Sequence, residues 1–119
     1  LYICDFMQPY RQIEQFVNQK SQQLCFYLNA FWSGDLPHQE LQYYFWDTLE
    51  EWSLVNASPV LPYSHKEHVF WYIMYQIHFW PEIELHSNVC LCDELRGCLH
   101  YLSDEVQRCP FDCVGVRPQ

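Results

Sequence analysis

The spacing of apolar residues along the chain predicts α-helices. Between Gln12 and Trp32 the apolar positions are mostly three or four residues apart, which places them on one side of a helix. Pro9 precedes this segment and Ser33-Gly34 follows it, as is typical of a helix start and a helix end. We therefore expect a first long helix here, and its apolar stripe consists of Ile13, Phe16, Val17, Leu24, Tyr27, Leu28 and Phe31.

A second helix is predicted from near Pro37 to about Leu54, because apolar positions again recur with helical spacing. After it, Pro59 and Pro62 indicate a loop, since proline lacks the amide donor that a helix interior needs. The predicted apolar stripe of this second helix is Leu41, Phe45, Leu49 and Trp52, widened by Trp46.

The residues Ser64-His-Lys-Glu67 predict the start of a third helix. In such a capping box the serine hydroxyl accepts a hydrogen bond from the glutamate amide, and the glutamate carboxylate accepts one from the serine amide. The helix extends to about Trp80, because Pro81 ends it. Apolar and aromatic residues occur almost all round this helix, so it is either central in its own domain or buried in an oligomer.

The aromatic residues of the third helix support two interpretations. A chain of 119 residues has few other helices with which to surround it, and five Trp, nine Tyr and eight Phe exceed the usual need of so small a core. We therefore expect a homodimer, since obligate interfaces are apolar. The alternative is a small-molecule pocket lined by residues such as Trp46, Trp71 and Tyr75. The residues predicted for the interface or pocket are Trp71, Tyr72, Tyr75 and Phe79.

A fourth helix is predicted after Ser87-Asn88, a pair that can cap its first turn. Its apolar residues recur with helical spacing from Leu91 to Leu102. The predicted fold class is therefore all-α, a single small domain of about four helices packed as a bundle.

The two ends of the chain are predicted to lie outside this bundle. The helical domain covers residues 9–107, with an N-terminal arm at residues 1–8 and an irregular tail at residues 108–119 that packs on the same domain. We expect the arm and the tail to pair as a short β ribbon through Tyr2–Cys4.

The charge of the chain excludes some partners. Six Lys and Arg against fifteen Asp and Glu give a formal net charge of −9 and a pI near 4.9. Binding to nucleic acid or to an anionic membrane surface requires a basic patch, so neither is expected. No Lys or Arg occurs between Lys20 and Lys66, whereas five acidic residues do.

The second helix carries the predicted partner-binding surface. Tyr43, Asp47, Glu50 and Glu51 share one face of it, and Tyr44 borders that face. Acidic side chains steer a basic partner and tyrosines supply anchor area, although the same pattern also describes an ordinary solvated helix face. The leading interpretation is a small acidic binding protein, such as an immunity protein, antitoxin or inhibitor of a basic protein. A helical small-molecule-binding protein is the alternative.

A thiol- or metal-dependent enzyme is the third interpretation. G-x-S-x-G, P-loop and H-E-x-x-H sequences are absent, so no catalytic, cofactor or metal residue is assigned. His65 and His68 share a helix face, but Glu67 between them has the capping role. The spacings of the seven cysteines differ from the repeated C-x2-C of a zinc ribbon.

The expected location is the cytoplasm. No segment contains the roughly 18–20 consecutive apolar residues that span a bilayer. The N-terminal residues also lack the basic and apolar regions of a secretion signal. We therefore expect a soluble protein without a membrane partner.

Overall fold

The computed structural model describes residues 2–55, 61–105 and 108–118, with side chains from Tyr10 onward. Within these residues the chain is all-helical and forms a bundle without β-strands, as the apolar pattern predicts. None of the helices described combines the length and the apolar character that crossing a bilayer requires. The helices are α1 (Tyr2–Trp32), α2 (His38–Ser53), α3 (His65–Phe79), α4 (Glu82–Ser87) and α5 (Val89–Leu102).

The helix ends follow the predicted signals. Gly34 adopts a φ of +83° after α1, in the left-handed region that favours glycine. The Ser64 hydroxyl accepts a hydrogen bond from the Glu67 amide (3.0 Å) at the start of α3. The Asn88 side chain accepts one from the Leu91 amide (3.0 Å) at the start of α5. These caps are confirmed because each depends only on residues close together in sequence.

Two elements differ from the prediction. Residues 2–8 belong to α1, so the irregular arm and the β ribbon through Tyr2–Cys4 do not form. Pro9 lies inside α1, where it removes one backbone hydrogen bond from a helix of 31 residues. A short additional helix, α4, follows Pro81, so the described chain contains five helices instead of about four.

Helix α3 occupies the centre of the bundle and contacts α1, α2 and α5. Trp71 is completely buried there, with its ring stacked on Phe16 at 6.2 Å and edge-on to Trp52 at 5.2 Å. The domain itself therefore surrounds the helix that is apolar almost all round, and burial of α3 does not require a second copy. The fully buried residues of α3 are Phe70, Trp71, Ile73, Met74 and Ile77.

The C-terminal tail lies against α3 as an extended, irregular segment. The Gly115 amide donates to the carbonyl oxygen of His68 (2.8 Å), and Nδ1 of His68 donates to the carbonyl oxygen of Gly115 (2.9 Å). A Cβ atom on Gly115 would lie 2.2 Å from the backbone nitrogen of Tyr72. Glycine is therefore required for the tail to approach the helix this closely.

Candidate functional site

The outer face of α2 presents aromatic and acidic side chains to solvent. Tyr43 is 50% exposed and Trp46 is 55% exposed, and Asp47 and Glu50 are exposed beside them. Their spacing of three, four and seven residues places the four side chains on one side of the helix. We call Tyr43, Trp46, Asp47 and Glu50 the α2 patch. The buried residues on the opposite side of the helix are Leu41, Tyr44, Phe45 and Thr48.

Two aromatic residues of α2 exchange the places that the sequence predicts for them. The sequence predicts that Trp46 widens the apolar stripe, but Phe45 occupies the inward position and Trp46 contacts it edge-on at 5.2 Å. It also predicts that Tyr44 borders the exposed face, but Tyr44 is buried against Tyr27 at 4.6 Å. The signal was present, because Tyr44 follows Leu41 by three residues and therefore continues the inward stripe.

The polar end of Tyr44 is satisfied inside the protein. Its hydroxyl donates to the carbonyl oxygen of Lys20 (2.8 Å). Burial raises the pKa of Tyr44 well above its ordinary value, so the hydroxyl remains a neutral donor. Tyr44 therefore connects α2 to α1 and does not belong to the patch.

Glu51, also predicted for the partner-binding surface, forms an intramolecular ion pair. Its carboxylate contacts the ammonium group of Lys20, whose side chain is 9% exposed. Gln23 also accepts a hydrogen bond from this ammonium group (3.2 Å). Glu51 therefore links α2 to α1, and Asp47 and Glu50 are the predicted acids that lie within the patch.

The patch continues onto the end of α3. The His78 ring stacks on Phe45 at 4.3 Å and lies edge-on to Trp46 at 5.2 Å. Nδ1 of His78 donates to Oε1 of Gln42 (3.4 Å), and the Gln42 amide donates to the carbonyl oxygen of Ile77 (2.7 Å). These contacts hold the junction of α2 and α3 together beneath the exposed rings.

The four aromatic residues predicted for an interface or pocket do not form one surface. Trp71 is completely buried, so the prediction that it faces a partner is wrong for this folded chain. Tyr72 and Tyr75 are half-buried, and Phe79 is 71% exposed next to His78. A cleft of about 350 Å³ between α1, the start of α3 and Tyr101 is lined by other residues, among them Tyr10, Glu14, Asn18 and His65.

A buried ion pair joins the tail to the start of α3. Nε of Arg117 lies 2.6 Å from Oε2 of Glu67, and its Nη2 lies 2.8 Å from Oε1. The indole of Trp71 donates to Oε2 (3.1 Å), and the guanidinium lies 4.0 Å from the centre of the Tyr63 ring. The hydrogen bonds to Glu67 raise the pKa of Arg117. The two-pronged contact is the strong geometry for arginine and carboxylate.

This ion pair corrects the second half of the predicted capping box. In place of a bond to the Ser64 amide, the Glu67 carboxylate accepts bonds from Arg117 and Trp71. A buried carboxylate gains more from a guanidinium than from a neutral amide, because the ionised group must be paired. Nothing close to Glu67 in sequence identifies Arg117 as the partner.

The two histidines considered for a metal site face different neighbours. His68 stacks on Tyr63 at 4.3 Å and bonds to Gly115, whereas His65 is exposed and contacts Phe111 edge-on at 5.4 Å. Within the described ranges, no three His, Cys, Asp or Glu side chains are placed to hold a single metal ion.

Comparison with known proteins gives no match for this chain. No family model fits it, and no curated protein or solved structure matches it. The exposure, charge and contacts of its own side chains are therefore the basis for assigning a function.

Proposed function

We propose that this chain is a binding protein whose α2 patch engages a basic protein or peptide. The observation that supports the proposal is the exposure of Trp46 and Tyr43 directly beside Asp47 and Glu50 on one helix face. Tryptophan and tyrosine are the residues that most often dominate binding energy at protein interfaces. The carboxylates add attraction and a faster encounter with a positively charged partner.

The charge around the patch also favours a basic partner. The chain carries a formal net charge of −9, and its sequence contains no Lys or Arg between Lys20 and Lys66. Lys20 itself is nearly buried and is paired with Glu51, so it does not oppose a cationic ligand. An inhibitor, immunity protein or antitoxin directed at a basic protein is the class of function that this surface fits.

A homodimer stays a prediction, and Phe79 is the predicted interface residue that lies at this surface. Phe79 is the most exposed of the four predicted interface residues and adjoins the α2 patch through His78. A second copy would bring the same acidic side chains to the interface, where like charges repel. We therefore place a basic partner ahead of a second copy at this surface. Native mass spectrometry of the reduced protein distinguishes the monomer from the dimer.

The proposal is tested with an unbiased library of short displayed peptides selected on the immobilised protein. We expect the selected peptides to be enriched in Lys and Arg together with aromatic residues. Synthetic copies of them should bind in fluorescence anisotropy with an affinity that falls as salt is added. Selection of neutral or acidic peptides would contradict a basic partner.

Variants of the patch show where those peptides bind. Trp46→Ala should weaken binding by about tenfold or more, because it removes the central aromatic anchor. The double variant Asp47→Lys/Glu50→Lys should also slow association and flatten its salt dependence. Both predictions concern binding, so each variant is first shown by circular dichroism to be folded.

Matched controls come from exposed residues elsewhere on the chain. Phe26→Ala removes an aromatic ring that is 69% exposed on α1, and Asp35→Lys/Glu82→Lys makes the same change in net charge away from the patch. Both controls should retain the affinity of the parent protein to within about threefold. Equal losses of affinity in Asp47→Lys/Glu50→Lys and in Asp35→Lys/Glu82→Lys would show that net charge alone attracts the peptides.

A further inference from the structure

Three of the seven cysteines meet in one cleft between α5 and the tail. The cleft has a volume of about 390 Å³. Cys98 comes from α5, whereas Cys109 and Cys113 come from the tail. The residues that line the cleft are Asp93, Glu94, Gly97, Cys98, Arg108, Cys109, Pro110 and Cys113.

Within this cleft, Cys113 lies against the same face of α5 as Cys98. Sγ of Cys113 donates to Oε1 of Glu94 (3.1 Å), and Glu94 is one helical turn before Cys98 on α5. The hydroxyl of Tyr72 donates to the same carboxylate oxygen (2.6 Å). Cys98 is completely buried and Cys113 is 4% exposed. Both side chains therefore lie at the contact between the tail and α5.

Other buried or half-buried thiols of the chain have different surroundings. Sγ of Cys92 donates to the carbonyl oxygen of Leu85 (3.0 Å), and Sγ of Cys25 donates to that of Leu99 (3.8 Å). These two thiols behave as small packed groups that bond to a neighbouring helix. Cys98 and Cys113 differ from them because both line a cleft that contains other thiols.

We propose that Cys98 and Cys113 form a redox-active dithiol that a low-molecular-weight disulfide, such as oxidised glutathione, converts to an intramolecular disulfide. One protein thiolate attacks a sulfur atom of the small disulfide and expels one small thiolate. The second protein thiolate then attacks the protein sulfur of the mixed disulfide and expels the other. The protein loses two electrons and two protons, and both protons are taken up by the two small thiols released.

The disulfide changes how the tail is held. In the dithiol form the tail is attached to α3 through Arg117 and Gly115, and to α5 through the hydrogen bond from Cys113 to Glu94. In the oxidised form a covalent bond joins the tail to α5. Glu94 then loses its donor from Cys113 and keeps the donor from Tyr72. The proposal is independent of the α2 patch.

Protonation controls the speed of the reaction. Burial raises the pKa of Cys98 to about 11, and burial together with the Glu94 carboxylate raises the pKa of Cys113 further. Both thiols are therefore protonated at neutral pH, and only the thiolate attacks a disulfide. We expect the oxidation rate to rise by about tenfold per pH unit from neutral pH towards that pKa.

The test uses the full chain in anaerobic buffers of reduced and oxidised glutathione that contain a chelator. Remaining thiols are alkylated, and intact-mass and peptide analysis then identifies which cysteines are joined. The expected product is a monomer with two of its seven thiols lost and with a cross-linked peptide that contains Cys98 and Cys113. A pair that contains Cys4, Cys90 or Cys109, or glutathione adducts alone, would overturn the proposal.

Serine variants give a second readout. Cys113→Ser should prevent the intramolecular disulfide, whereas Cys109→Ser in the same cleft and Cys90→Ser on the exposed start of α5 should allow it. Because peptide mapping of the parent protein needs no substitution, the result does not depend on whether Cys113→Ser folds. Oxidation of Cys113→Ser to the same extent as the parent would also refute the pair.

Discussion

Glu67 and Glu50 are the same amino acid on neighbouring helices, yet the fold uses them in opposite ways. Glu67 is 1% exposed and accepts hydrogen bonds from Arg117 and Trp71. Glu50 is exposed beside Trp46 on the outer face of α2. A buried carboxylate must be paired, and its pairing then holds the structure together. An exposed carboxylate costs the fold little and is available for recognition.

The two tryptophans next to these glutamates show the same contrast. Trp71 is completely buried among Phe16, Trp52 and Phe70, and its indole nitrogen donates to Glu67. Trp46 keeps more than half of its surface in solvent. The α3–tail region is therefore expected to determine stability, and the α2 patch is expected to determine binding.

The largest effect should come from Glu67→Gln, which removes one partner of the buried ion pair. We expect a loss of about 3–5 kcal/mol in the free energy of unfolding, because the substitution breaks the buried charge pair between Glu67 and Arg117. Urea denaturation followed by circular dichroism measures this loss. Glu50→Gln, the matched change on α2, should alter stability by less than about 0.5 kcal/mol. Similar values for the two variants would remove the distinction between the regions.

A smaller effect is expected from Gly115→Ala in the tail. The added Cβ would overlap backbone atoms of Trp71 and Tyr72, at 2.4 and 2.2 Å, so the tail has to move away from α3. We expect a loss of about 1–3 kcal/mol and faster proteolysis of the tail. In contrast, Gly97→Ala in α5 meets no atom within 4 Å and should stabilise the protein by about 1 kcal/mol. A Gly115→Ala variant as stable as the parent protein would contradict the close approach of the tail to α3.

Alkaline pH should also lower the free energy of unfolding. The pKa of Cys98 is raised from 9.0 to about 11 in the folded state, so folding favours the neutral thiol. The resulting contribution to the free energy of unfolding is fully present below about pH 9 and is lost as the pH rises towards 11. Allowing for partial screening by solvent, we expect the free energy of unfolding to fall by about 1 kcal/mol between pH 8 and pH 10.

Urea denaturation at several pH values measures this alkaline loss. Cys98→Ala should reduce the slope of stability against pH in that range, although tyrosines with raised pKa values, such as Tyr72, add their own loss at higher pH. Cys90→Ser, at an exposed thiol, should leave the slope unchanged. An unchanged slope in Cys98→Ala would show that this thiol does not contribute.

The smallest effect on stability is expected for Trp46→Ala, at less than about 0.5 kcal/mol. Acrylamide quenching provides the complementary measurement, since it reports the access of solvent to indole rings. Trp46→Ala should remove a readily quenched part of the fluorescence, because that ring is 55% exposed. A large destabilisation in this variant would place Trp46 with the core and would weaken the α2 patch as a binding surface.

Much of the helical architecture follows from the sequence alone. The starts of α2, α3 and α5, the glycine that ends α1 and the acidic outer face of α2 all depend on residues within a few positions of one another. Spacing of apolar residues and short-range capping act at that distance, so reading the chain locally is sufficient. The N-terminal arm and the short helix α4 are the exceptions, since α1 extends through Pro9 and α4 follows Pro81.

Only the tertiary structure decided which polar and aromatic side chains are buried. The pairing of Glu67 with Arg117, of Glu51 with Lys20 and of Cys113 with Glu94 joins residues on different segments of the chain. Which of Tyr44 and Trp46 faces inward depends on how α2 rotates against α1 and α3. Burial is a property of the packed elements together, and it determines whether an acid serves as an ion-pair partner or as part of a binding surface.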